Sequence, residues 1–180
     1  MWKKLILTVT GIIILLIILI GVLIVYVKPD QALNLQYKEI VIMDKVADMV
    51  KKRKMEVQLT EEDINNLLKK QLALQTDAMN DVEILGAQIH LQGPLVEADV
   101  NLRWKNKVQI AAKLFFQLEW DSPVLEIEHL ETRIKNFQIP NSYFHLEPIR
   151  IPLDESLPKP LGIRELLFNE DSILIHFKLF

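Results

Sequence analysis

The sequence predicts an α+β fold: amphipathic helices packed on a long, curved antiparallel sheet, carried on one N-terminal transmembrane helix. Three observations predict it. Leu5 to Val27 is an unbroken run of 23 uncharged residues, 18 of them Leu, Ile or Val. Val96 to Lys105 and Val108 to Trp120 alternate apolar and polar residues with a period of two, as half-buried strands do. Behind Thr60 the apolar residues recur at helical spacing instead.

At about 1.5 Å per residue the apolar run makes a helix of roughly 35 Å, enough to cross a hydrocarbon core of about 30 Å with some tilt. A secretory signal has a shorter apolar core, about 7–15 residues, followed by small residues at a cleavage site. Val25-Tyr26-Val27-Lys28-Pro29-Asp30 offers no such site. About −0.4 kcal/mol for each Leu, Ile or Val sums to about −7 kcal/mol, more than Thr8, Thr10, Gly11 and Gly21 cost. No period gives the run a polar face, so a permanent anchor is expected. Lys3 and Lys4 precede it, whereas Lys28 is soon followed by Asp30. That bias places the N-terminus in the cytoplasm and the C-terminal domain outside, against the pull of Lys51, Lys52, Arg53 and Lys54.

The expected division is residues 1–29 as cytoplasmic stub and anchor, 30–58 as connector and juxtamembrane helix, and 59–180 as an extracytoplasmic α+β domain. The chain beyond the anchor is long enough for a real core. The anchor region takes three of the 21 basic residues and none of the 24 acidic ones, leaving a net charge of −6. That balance argues against nucleic acid, which selects a concentrated positive field. There is no cysteine, so disulfides and thiolate metal sites are excluded.

Pro29 stops the anchor, and Asp30 to Gln36 reads as a connector. From Tyr37 to Met55, Ile40, Met43, Val46, Ala47 and Val50 fall near helical spacing, with Lys51, Lys52, Arg53 and Lys54 at the end where cations suit the helix dipole. The same tetrad is a candidate contact for an anionic surface. Thr60-Glu61-Glu62-Asp63 is a helix start, with Thr60 as cap and Asp63 where a capping box prefers Glu. Ile64, Leu67, Leu68 and Leu72 then form one apolar stripe.

The sheet comes next. Turn signals at Gln92-Gly93-Pro94, Lys105-Asn106 and Asp121-Ser122-Pro123 separate strands over Val82–Leu91, Val96–Lys105, Val108–Trp120 and Val124–Lys135. The outer two change phase near Leu85-Gly86 and near His129-Leu130, which predicts bulges. Five of the eight prolines fall between Pro140 and Pro160, marking irregular or edge structure. Ile163 to Phe168, a turn at Asn169 to Ser172, and Ile173 to Phe180 close the chain. About six strands are expected, in one sheet.

Catalytic signals are absent. Ser122, Ser142, Ser156 and Ser172 lie in turns or Pro-rich segments, none in a Gly-x-Ser-x-Gly elbow, and no phosphate loop or dinucleotide fingerprint exists. His129-Leu130-Glu131 and His145-Leu146-Glu147 could each present an imidazole and a carboxylate on one strand face, but alternation on a wet face writes the same string. Glu126, Glu128 and Glu131 likewise read as the wet side of a strand. The apolar surplus is more informative, because Phe115, Leu174 and Phe180 sit on nominally polar faces and Trp104 and Trp120 at strand ends. A groove between helix and sheet, lined by Leu67, Leu68, Leu72, Leu102, Leu114 and Phe116, is the candidate binding site. The expected function is a non-enzymatic domain that shelters a lipid or other amphiphile at the cell envelope, without a cofactor. The alternative is an interaction scaffold for an envelope enzyme or other membrane protein.

The anchor, the Leu59-Thr60-Glu61-Glu62-Asp63-Ile64-Asn65 helix start, the long meander, Phe137-Gln138-Ile139-Pro140 and the closing hairpin together resemble the YpmS-like family. The resemblance implies a small membrane-anchored protein of Gram-positive bacteria with no catalytic residues to transfer. The helix start and the Ile-Pro after a strand are also similar to tubular lipid-binding domains, where a curved sheet wraps a helix; that likeness concerns fold alone.

Overall fold

A computed structural model describes residues 2–40, 45, 47, 49, 51, 54–74, 82–144, 146–153, 157, 159 and 161–179. Helix α1 (Trp2–Tyr26) has no buried residue and is long and apolar enough to cross a membrane. Next come β1 (Glu56–Thr60), α2 (Glu61–Leu74), β2 (Val82–Gln92), β3 (Leu95–Trp104), β4 (Val108–Asp121) and β5 (Val124–Ile134). The chain ends with β6 (Phe137–Ile139), β7 (Ile149–Pro152), β8 (Leu161–Phe168) and β9 (Ser172–Leu179). The α+β class and the curled antiparallel sheet are as the patterning indicates.

The single sheet of about six strands is corrected to two. One is a half-barrel in the order β2-β3-β4-β5-β6, with β7 sharing the outer edge of β5; the other is β1-β9-β8. Alternation fixes which side chains share a face but not which strand lies beside which, and β1 pairs with β9 from far away in sequence. The two apolar clusters merge through Leu125, Phe168 and Ile173. One is built on Met49, Val57, Ile163, Leu166 and Phe177, the other on Ile89, Leu91, Val96, Ala98 and Leu118.

Both phase changes are bulges. The β2–β3 register slips between Ile84 and Gly86, leaving Leu85 unpaired; in β5, Leu130 is extra because Phe115 faces Glu131 while Phe116 faces His129. The reading of His129 as a wet-face residue is corrected. His129 continues the apolar face of Leu125 and Ile127, 2% exposed between the rings of Phe116 and Phe144, and the bulge after it puts Glu131 on the opposite face. His129 Nδ1 accepts from Leu146 N at 3.4 Å, which leaves Nε2 to donate to Thr132 Oγ1 at 2.8 Å. His145 lies outside the described residues.

The predicted helix from Tyr37 is corrected at its start. Residues 37–40 are not helical, while Lys45, Ala47, Met49 and Lys51 are. Residues 27–40 form a strap across the outer face of the sheet. Val27 O accepts from Ala111 N at 2.9 Å, Asp30 pairs with Lys135, and Asn101 Nδ2 donates to Gln31 O at 2.7 Å. Leu33 and Asn34 then cross Gly86. Gly86, Asn101 and Ala111 face one another in register, a transverse row of small or amide side chains on an otherwise charged face. Beyond β2 the strap reaches α2, where Lys38 N donates to Asn66 Oδ1 at 2.8 Å.

Candidate functional site

The candidate site is the apolar floor of the half-barrel and the helix laid on it. Inward residues of β2, β3 and β4 align in rows: Leu91–Val96–Phe116, Ile89–Ala98–Leu114, Ala87–Val100–Ala112 and Ile84–Leu102–Ile110. Cross-strand neighbours of this kind are what stabilise a sheet face.

Helix α2 is fixed against β2 by side chains rather than by packing alone. Asn65 Oδ1 accepts from Ile89 N at 2.6 Å and its Nδ2 donates to Ile89 O at 2.8 Å. Glu61 Oε2 accepts from Leu91 N at 2.8 Å. These groups occupy the free edge of β2, where unpaired amides would otherwise invite a second strand. Since Glu61 meets Leu91 and Asn65 meets Ile89, α2 runs toward the Ile84 end of β2. Its start forms the reciprocal capping box that Thr60 and Asp63 promise: Thr60 N donates to Asp63 Oδ2 at 2.9 Å, and Asp63 N to Thr60 Oγ1 at 3.3 Å.

Burial alone would raise the Asp63 pKa, but Lys45, whose Nζ lies 2.6 Å from Oδ2, and the Thr60 donors outweigh it and hold the carboxyl below its ordinary value. A depressed folded-state value contributes stability in full above about pH 4, the unfolded-state value, and that stability is lost as pH falls through the lower folded value. Asp63→Asn is therefore expected to cost about 1 kcal/mol near neutral pH. Denaturant melts should show the wild type losing its advantage over the variant as the solution is acidified below about pH 4.

The six predicted groove residues divide into two groups. Leu68, Leu114 and Phe116 join the cluster of Ile89, Leu91, Val96, Ala98 and Leu118, which Phe168 and Ile173 cap from the other sheet. Leu67, Leu72 and Leu102 are half-buried and stand outside that cluster. The floor thus changes along its length. Leu91, Val96, Ala98 and Leu118 are buried at the end far from α1; Ile84, Leu102 and Ile110 are half-buried, and Trp104 is 46% exposed, at the end where α1 enters. Leu74, the last residue of α2, is 71% exposed at that same end.

Of the predicted anionic-surface tetrad, Lys52 and Arg53 lie outside the described residues. Lys51 is exposed in a helical turn, and Lys54 is exposed with Nζ 3.6 Å from Glu56. Among the described residues no group of three or more His, Asp or Glu is placed to hold a metal. Elsewhere Phe115 is covered by the Arg133 guanidinium, 4.9 Å from its ring centre. The strap and the edge-capping role of Asn65 escaped the sequence reading. Their signals were Gly86 at the phase change, Ala111 among Gln109 and Lys113, and an Asn inside an amphipathic helix.

Compared with known proteins, the chain matches no family model, no curated protein and no solved structure.

Proposed function

We propose that this chain is a single-pass membrane protein, N-terminus in the cytoplasm, whose extracytoplasmic domain shelters a lipid or similar amphiphile without catalysing a reaction. The observation that carries this reading is the gradient of burial along the floor. An apolar face packed at one end against Phe168 and Ile173, and only half-buried at the end where the anchor enters, supports a slot that takes an acyl chain drawn from the adjacent leaflet. Leu68, Leu114 and Phe116 form its inner end, and Leu67, Leu72 and Leu102 its mouth. The YpmS-like resemblance agrees with a small anchored envelope protein of a Gram-positive cell.

The reading is tested with a phospholipid carrying a photoreactive group on its acyl chain, added to the full chain in vesicles. Crosslinks are expected on peptides containing Leu102, Ile110 and Leu114 as well as on α1. Crosslinks confined to α1 would refute the slot.

A second reading, docking of an envelope protein, draws on one observation. Tyr143 and Ile149, beside the outer edge shared by β6 and β7, are 85% and 51% exposed. Crosslinking from Tyr143 in cells that recovers one dominant protein would favour it.

A further inference from the structure

α1 enters the domain at one end of the half-barrel, and that end differs in chemistry from the rest of the surface. The hydrogen bond from Ala111 N to Val27 O lies beyond the point where β5 stops pairing with β4, since their register ends at Lys113 and Arg133. The Tyr26 ring meets Phe137 edge-on, with centres 6.2 Å apart. No residue of α1 is buried, so the helix leaves the domain from this end and does not lie back along it. The β3–β4 hairpin projects on the same side: its pairing continues to Trp104 and Val108, and Lys105 and Asn106 turn the chain with φ of 50° and 56°.

Aromatic and cationic side chains collect around this exit. Tyr26, Trp104 and Phe137 are 41%, 46% and 67% exposed, and Lys28, Lys105 and Lys107 are all on the surface. Lys105 Nζ stands 5.1 Å over the Trp104 ring. Between Asp99 and Glu119 the sequence carries Arg103, Lys105, Lys107 and Lys113 and no acid, although the region after the anchor is net acidic. Rings with a polar or polarisable edge settle at a membrane–water interface, and lysines at that level are drawn to anionic headgroups. The opposite turn, at Gly93-Pro94, is a strand length of about 33 Å away, and the acids at the α1 end, Asp30 and Glu83, are paired with Lys135 and Arg103.

We propose that Tyr26, Lys28, Trp104, Lys105, Lys107 and Phe137 form a membrane-contact surface that seats the domain directly on an anionic phospholipid bilayer. This rests on α1 being the anchor and not on the sheltering of a lipid. Seated so, the domain holds the half-open end of its floor against the leaflet, and the strap fixes its tilt.

Because the chain has no cysteine, single spin labels report depth without background. Lys107→Cys in the β3–β4 turn, Asn136→Cys in the β5–β6 turn, Glu170→Cys in the distant β8–β9 turn and Ile14→Cys in mid-anchor are each labelled in the full chain and reconstituted in vesicles containing phosphatidylglycerol. The labels at 107 and 136 are expected to collide with a water-soluble nickel chelate several-fold less often than the label at 170. Replacing the anionic lipid with phosphatidylcholine should raise the nickel accessibility at 136, where no native lysine is lost. Nickel accessibility at 107 and 136 equal to that at 170, or a value at 136 insensitive to lipid charge, overturns the proposal. A label at 14 outside the bilayer interior overturns both it and the anchor, which separates a wrong contact surface from a wrong topology.

Discussion

Gly86→Ala is expected to unseat the strap that joins α1 to the rest of the fold. A Cβ at Gly86 would stand 2.2 Å from the Leu33 carbonyl carbon and 2.4 Å from both Asn34 N and Leu33 O. These are backbone atoms, so no side chain can turn aside to make room, and the strap itself has to move. Asn101, 5% exposed, would then lose Gln31 O as acceptor for its Nδ2. An orphaned buried donor costs about 1–3 kcal/mol, and with the displaced contacts the expected loss is about 3–5 kcal/mol. The ion pair of Lys38 with Glu62, both largely exposed, would not restore the crossing. Hydrogen exchange should show the amides of Lys38 and Ala111, which bond across the strap contact, losing protection while the amides paired between β3 and β4 keep theirs. An unchanged melting temperature and unchanged protection would show that the crossing is not tight.

Asn65→Leu is expected to be nearly as damaging, for a different reason. The substitution keeps the branched outline of the side chain and raises helix propensity, but it removes the partners of both Ile89 N and Ile89 O and leaves the edge of β2 bare. Leaving that amide and carbonyl unmet under a helix costs about 2–4 kcal/mol. Asn65→Asp retains the acceptor for Ile89 N but donates nothing to Ile89 O, so it should fall between the two in a urea titration. A freed edge also invites a second chain. Sedimentation is expected to show concentration-dependent association of Asn65→Leu that the wild type lacks; equal stability and equal sedimentation would contradict the edge-capping role.

Much of the fold was legible because its strands are long. Ten to fourteen residues of alternation in β3 and β4 declare both the strand and its inward face, and the two breaks in phase located the bulges in β2 and β5, though not the register shift at Arg164 in β8. Thr60 and Asp63 announced the start of α2 correctly, since a cap is a local device. The misreadings concern elements that depend on distant partners. β1 offers only Val57 and Leu59 as apolar positions and exists as a strand because β9 lies beside it. Lys38 and Glu39 are outside any helix and pair instead with Asn66, Glu62 and Lys70 on α2, which a helical periodicity count cannot register. The bulge at Leu130 was foreseen, yet its consequence, that His129 stays with Leu125 and Ile127 while Glu131 faces the other way, was not carried through the pattern.

The groove residues were legible as one stripe of α2 and the inward positions of β3 and β4. Their division into a buried group and a half-buried group was not, because it depends on Phe168 and Ile173 reaching across from the second sheet. Which end of the floor lies beside α1 is likewise a tertiary fact, carried by the hydrogen bond from Ala111 N to Val27 O and the contact of Tyr26 with Phe137.

The most direct test of a lipid-sheltering domain is native mass spectrometry of the full chain released from membranes, beside Leu114→Arg prepared in the same way. Lipid held by α1 would be common to both, whereas lipid in the slot depends on Leu114. The account predicts one bound lipid that survives activation in the wild type and is absent from Leu114→Arg, with the variant still showing a cooperative melt. Identical lipid content in the two proteins, or none in either, would contradict it.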